Sequence, residues 1–176
     1  TLNLPAGDPT LDPANFDPND PSTYNNATSV TIYDSLGEAH ITSTYYIKPH
    51  DASYTGNNHW VTFVTVDGKP VDAYDRAGGV TTAGTYDVDV NGDGTADGTP
   101  QTATYNYTDP NTGIVTAQTG AVLTFDAVGS YIGSSPASLD FEPLGVGGAN
   151  ILDPGADGTQ AFALDFQNPT QFASSF

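Results

Sequence analysis

Nineteen glycines and thirteen prolines, set among many Asn, Asp, Ser and Thr residues, interrupt this 176-residue chain too often for any long helix to run through it. Short strands joined by polar turns are what such punctuation permits, and the sequence predicts an all-β fold of one domain's length, a small β-barrel or sandwich of short, mostly antiparallel strands with long loops. A chain of this size can bury a real core. It has no cysteine, so neither disulfides nor thiolate chemistry contribute, and packing alone must hold it together.

Charge narrows the function classes. Three Lys plus Arg against 21 Asp plus Glu give 3 − 21 = −18 with neutral histidines. Two lysines and one arginine cannot form the cationic footprint that nucleic acid or an anionic membrane surface requires. No apolar run approaches the roughly 20 residues of a membrane span. The opening TLNLPAGDPT does not read as a signal peptide, and without any Met the sequence is expected to be a segment of a longer chain. So acidic a surface suits an extracellular setting in which salt screens self-repulsion.

Along the chain, residues 1–28 carry Pro5, Pro9, Pro13, Pro18 and Pro21 and are expected as a helix-free extended arm over the domain. Val30, Ile32 and Tyr33, then Ile41 to Ile47, form a hairpin about the turn DSLGEAH at 34–40. His59 to Val66 reads as a strand packed on both faces, ended by Asp67-Gly68. Weaker strands are expected at Thr85–Val90, Thr102–Tyr107, Gly120–Phe125 and Phe162–Phe166, with a long loop from about Gly133 to Thr159. Tyr33, Tyr45, Tyr46, Trp60 and Phe63 are assigned to strands, where aromatics fill a core and pair across a sheet.

The sharpest chemical motif is Asp89-Val-Asn91-Gly-Asp93-Gly-Thr95-Ala-Asp97. Oxygen donors at the first, third, fifth, seventh and ninth places, with a glycine at the sixth, suit a Ca²⁺ loop. Pro100 stands where an EF-hand places its bidentate Glu, so the loop would be of the helix-free kind, stiffening a hairpin. The same residues also make a solvated turn. Calcium is the cofactor this loop would take, and the fold requires none.

No catalytic residue is assigned. His40, His50 and His59 are expected at turns or strand edges, not as zinc ligands. GSYIG at 129–133 lacks the order of a nucleophile elbow, GVGG at 145–148 has no following lysine, and most carboxylates belong to Asp-Pro and Asp-Gly turns. Asn26-Ala-Thr28 and Asn106-Tyr-Thr108 match the glycosylation pattern at a frequency close to chance in so Asn- and Thr-rich a chain.

The run SVTIYDSLGEAHITSTYYIK, Ser29 to Lys48, resembles the signature of bacterial flagellar hook proteins. FDPNDPSTYN before it, the Trp-led strand reaching Val-Asp-Gly at 66–68, AVLTFDAVG at 121–129 and the closing ALDFQNPTQFASSF agree in order. The likeness covers about 16–68, 120–129 and 160–176, and departs between about 69 and 119. It implies a β-rich outer domain inserted between the halves of a more axial one: an arm at 1–28, the outer domain at 29–166 with a variable acidic insertion at about 69–119, and a returning stub at 167–176. Both ends are then expected on one side. The implied role is a structural subunit of the hook, the extracellular universal joint that passes motor torque to the filament. Homotypic neighbours, the hook cap and the hook-filament junction proteins would be partners, and the isolated segment would be monomeric. The competing readings are a calcium-stabilised extracellular adhesion or carbohydrate-binding β module, marked by an exposed aromatic row, and a secreted hydrolase, marked by a buried carboxylate pair of unusual acidity.

Overall fold

In the centre of the molecule runs the strand NNHWVTFVTV, whose residues from His59 to Val66 are all buried. A strand buried on both faces needs a layer on each side, and the rest of the chain supplies them. The computed structural model describes residues 2–50, 53–54, 57–88, 95–145, 148–165 and 170–172. The strands in chain order are β1 (Asn3–Pro5), β2 (Asn26–Tyr33), β3 (Ala39–Ile47), β4 (Ser53–Tyr54), β5 (Asn57–Val66), β6 (Lys69–Val71), β7 (Tyr74–Asp75), β8 (Val80–Thr81), β9 (Thr85–Tyr86), β10 (Gln101–Thr102), β11 (Thr104–Thr108), β12 (Val115–Thr119), β13 (Ala121–Phe125), β14 (Tyr131–Ser135) and β15 (Thr170–Phe172). A seven-stranded antiparallel sheet has the order β14-β13-β5-β3-β2, with β4 and β6 also paired to β5. The architecture is sandwich-like, with no closed barrel.

Register sorts the side chains. Ile47 and Val122 both lie opposite Val61, so with Phe63 they share one face, where Phe16, Tyr86, Ala103 and Tyr105 complete a cluster. Tyr46 and Ala121 lie opposite Thr62, which puts them on the other face with Trp60 and Leu123; Leu4, Phe125 and Leu139 close that cluster. Val64, Val66 and Val71 continue this second face under Phe141 and Leu144.

The turns follow from an Asp and a Gly three residues apart. Asp34 Oδ1 accepts the Leu36 and Glu38 amides at 2.9 and 2.8 Å, and Gly37 takes φ +86°. Asp126 repeats this with Val128 and Ser130 at 3.0 and 2.8 Å, and Gly129 takes φ +85°. Asp67 and Gly68, at φ 51° and 78°, make the two-residue reversal between β5 and β6.

Several expectations need correction. The arm is not helix-free: Pro13–Asn15 and Pro21–Thr23 are 3₁₀ turns, because each proline stands at the first helical position after an aspartate that caps it. Pairing of β2 begins at Asn26, inside the stretch read as arm. Strands β6, β12 and β14 were not expected; β12 and β14, VTAQT and YIGSS, carry few apolar residues, and the last three residues of β14 fall in the stretch read as a long loop. Conversely Phe162–Phe166 forms no strand among its described residues. Ala163 makes a single bridge to Asp140, while Phe162 stacks on Phe141 at 5.2 Å and Leu164 packs inward. The strand expected over Thr85–Val90 is reduced to Thr85–Tyr86, with 89–90 outside the described residues. Tyr33 is 64% exposed, since it ends the edge strand β2 beyond the reach of either covering layer.

Candidate functional site

Three places gather polar groups. At the base of the sheet, β1 and β15 pair in parallel, Asn3 beside Thr170 and Pro5 beside Phe172, which brings the two ends of the described chain together. Lys48 fastens the arm nearby. Its Nζ donates to the carbonyls of Ala6 and Asp8, its backbone carbonyl accepts from Leu11, and its amide donates to Asn25 Oδ1 at 2.7 Å. Burial lowers the Lys48 pKa, partly opposed by Asp8. A cation spent on backbone carbonyls is a structural clamp.

At the far end, His40 lies between the β2–β3 and β5–β6 turns, with Nδ1 2.7 Å from Asp67 Oδ2 and Nε2 3.8 Å from Asp34 Oδ2. His40 stands at the turn end of β3, where a turn histidine was expected, but is buried; His59 lies inside the sheet on the central strand and not at an edge, its Nδ1 3.2 Å from Thr124 Oγ1 on the neighbouring strand. Burial pushes the His59 pKa down. His50 is exposed, with Nδ1 3.0 Å from Thr10 Oγ1.

The third place is a cleft of about 680 Å³, lined by Asp67, Lys69, Asp72, Tyr107, Asp109 and Glu142 among others. Asp72 and Glu142 are half-buried, and burial raises both pKa values, Glu142 further because Asp72 is beside it. Their oxygens serve the backbone: Asp72 Oδ1 accepts the Thr119 amide at 2.5 Å, Glu142 Oε1 accepts the Asp72 amide at 3.1 Å, and the Asp72 carbonyl accepts the Glu142 amide at 3.0 Å. The pair ties β6, β12 and the 139–144 segment together. Both oxygens that the pair engages are taken by main-chain donors. Spacing gave no hint of it, because Asp72 and Glu142 are 70 residues apart.

Of the calcium-loop residues, Asp89, Asn91 and Asp93 lie outside the described residues. Thr95 is exposed; Asp97 is half-buried and its amide donates to the Val88 carbonyl at 2.8 Å. Among the described residues no three His, Asp or Glu side chains converge as a metal site would require. The glycines at 145 and 148 serve close packing: a Cβ on Gly148 would meet the Pro143 carbonyl oxygen at 2.0 Å.

Two covering layers on one antiparallel sheet, paired chain ends and carboxylates committed to backbone donors define a β-sandwich-like structural domain. Comparison with known proteins agrees with that class. The model of the flagellar basal body protein FlaE D2 domain matches residues 3–176, and the chain belongs to that family. It is also similar to the flagellar hook protein FlgE of Escherichia coli (strain K12), with 33% identity over 69 residues, 39% of this chain and 16% of that protein. The resemblance read from Ser29–Lys48 and its companion segments is thereby confirmed at the level of family.

Proposed function

We propose that this chain is the outer β domain of a flagellar hook subunit, a stiff body with no catalytic role that works through contacts with copies of itself. The observation that carries this reading is the family match over nearly the whole chain, joined to the similarity with a hook protein. The parallel pairing of β1 with β15 supports it, because a domain inserted into a longer subunit needs its two connections side by side. Such a subunit stands outside the cell, in the hook, where neighbouring subunits, the cap and the hook-filament junction proteins are its partners. A universal joint needs rigid bodies whose mutual contacts exchange at low cost. The doubly covered sheet provides the rigidity, and the acidic, polar surface keeps lateral contacts loose and salt-dependent.

The adhesion reading lacks its marker: among the described residues Tyr33 is the one aromatic more than half exposed, so no aromatic row forms. Disruption of the gene that encodes the chain tests the proposal. Non-motile cells without hooks, restored by the intact gene, are expected. Motile cells with normal hooks would overturn it.

A further inference from the structure

His40 lies between two carboxylates, and neither neutral form of its ring complements both. Asp67 Oδ2 is 2.7 Å from Nδ1, and Asp34 Oδ2 is 3.8 Å from Nε2. The other oxygen of each carboxylate is already engaged, Asp67 Oδ1 with the Ile41 amide at 2.8 Å and Asp34 Oδ1 with the Leu36 and Glu38 amides. Asp34 Oδ2 and His40 Nε2 are both buried and neither makes a hydrogen bond, so their 3.8 Å contact is a charge pair when the ring is protonated. With its proton on Nδ1, a neutral imidazole turns a lone pair toward the buried Asp34 oxygen. With the proton on Nε2, it turns a lone pair toward Asp67. An imidazolium alone donates to Asp67 and sets a positive charge beside the buried Asp34 oxygen.

We propose that His40 is a proton-operated latch: as an imidazolium it ties the β2–β3 turn to the β5–β6 turn, and loss of the Nε2 proton to solvent releases Asp34 and, with it, the turn at 34–38. The charged groups acting on the ring are Asp67 and Asp34, which hold its pKa above the usual histidine range against the opposing effect of burial. Lys69, on β6, acts on Asp67. On the packed elements, Ile32 lies opposite on β2, and Glu38 and Asp157 stand exposed about the same turn, Asp157 through its amide on Ser35 Oγ. A raised folded value stabilises below the unfolded value of about 6.5 and is lost as pH rises through the folded one. The two aspartates have lowered values, so their share is present above 3.8 and lost as pH falls through their folded values. The latch is therefore closed in a window from mildly acid pH to the folded value of His40. It sets the stiffness of the far tip of the β2–β3 hairpin.

Nuclear magnetic resonance of the 176-residue chain tests this in two readouts. The His40 ring is expected to titrate above about 6.5, and Asp67→Asn to bring the midpoint down by about one pH unit. Protection of the Leu36 and Glu38 amides, corrected for base catalysis, is expected to fall about tenfold as the ring deprotonates, while Val122 in the sheet centre stays protected. Asp34→Asn adds a second comparison, and because it removes a charge from a buried turn, the exposed Asp67 carries the test if that variant does not fold. A His40 midpoint at or below 6.5 would overturn the charge assignment. Constant protection of Leu36 and Glu38 across the titration would overturn the latch.

Discussion

Phe16 stacks on Phe63 with ring centroids 5.0 Å apart and planes 22° from parallel. One residue comes from the proline-rich arm and the other from the central strand, so the arm is part of the core. Tyr105 meets Phe16 edge-on at 4.9 Å, and Tyr45 lies at 5.0 Å. Phe16→Ala should cost about 3 to 5 kcal/mol of unfolding free energy, the usual range for a buried phenylalanine. Urea denaturation measures it. A loss below about 1 kcal/mol would mean that the arm merely lies on a body that folds without it.

Gly120 sits at the start of β13 against β5, where a Cβ would come within 2.5 Å of the Thr62 carbonyl oxygen and of the Phe63 ring. Nothing at that contact can yield without moving the central strand. Gly120→Ala is expected to destabilise by about 1 to 3 kcal/mol, as overpacking does. Gly7→Ala, with open space around it, should be close to neutral. Equal melting temperatures for the two variants would contradict this account of the β12–β13 corner.

Asp72 and Glu142 hold their protons more tightly in the folded chain than in the unfolded one. Stability therefore falls as pH rises from the unfolded values through the raised folded ones. Asp72→Asn keeps an oxygen for the Thr119 amide and removes the charge. It should stabilise at pH 7 by up to about 1 kcal/mol, a figure held down because solvent still reaches the group. The gain should vanish at acid pH. A variant less stable than its parent at pH 7 would show the charge itself to be needed.

The donor spacing from Asp89 to Asp97 gives a direct test of the calcium reading. If that loop holds Ca²⁺ with the sub-millimolar to millimolar affinity of extracellular modules, about 10 mM Ca²⁺ should add roughly 1 to 3 kcal/mol of stability. Asp93→Ala should abolish the increment. Identical melting curves in Ca²⁺ and in chelator would leave the segment a solvated turn.

Where sequence and structure agree, local chemistry and tertiary demand coincide. Tyr-Asp-Ser-Leu-Gly at 33–37 carries both the apolar end of β2 and the Asp and Gly that its turn needs, so the hairpin is legible by eye. His59 to Val66 announces double burial through its unbroken apolar run. Strand β14 is opaque for the opposite reason. Ile132 is 56% exposed and Gly133, Ser134 and Ser135 have little strand preference; pairing with the buried β13 extends them. Phe162 and Leu164 alternate as a strand should, yet they pack on the second face without joining a ladder. The His40 latch is half visible: Asp34 and His40 belong to one turn motif, but Asp67 is brought to the ring only by the β3–β5 register.

The most direct test of the central claim is helical reconstruction, by electron cryo-microscopy, of flagella from the organism that carries this chain. The seven-stranded sheet should fit density on the outside of the hook, with the β1–β15 pair directed toward the tube axis and copies touching one another. A hook whose density leaves no place for the sheet, with the protein recovered instead as a free soluble molecule, would contradict the account.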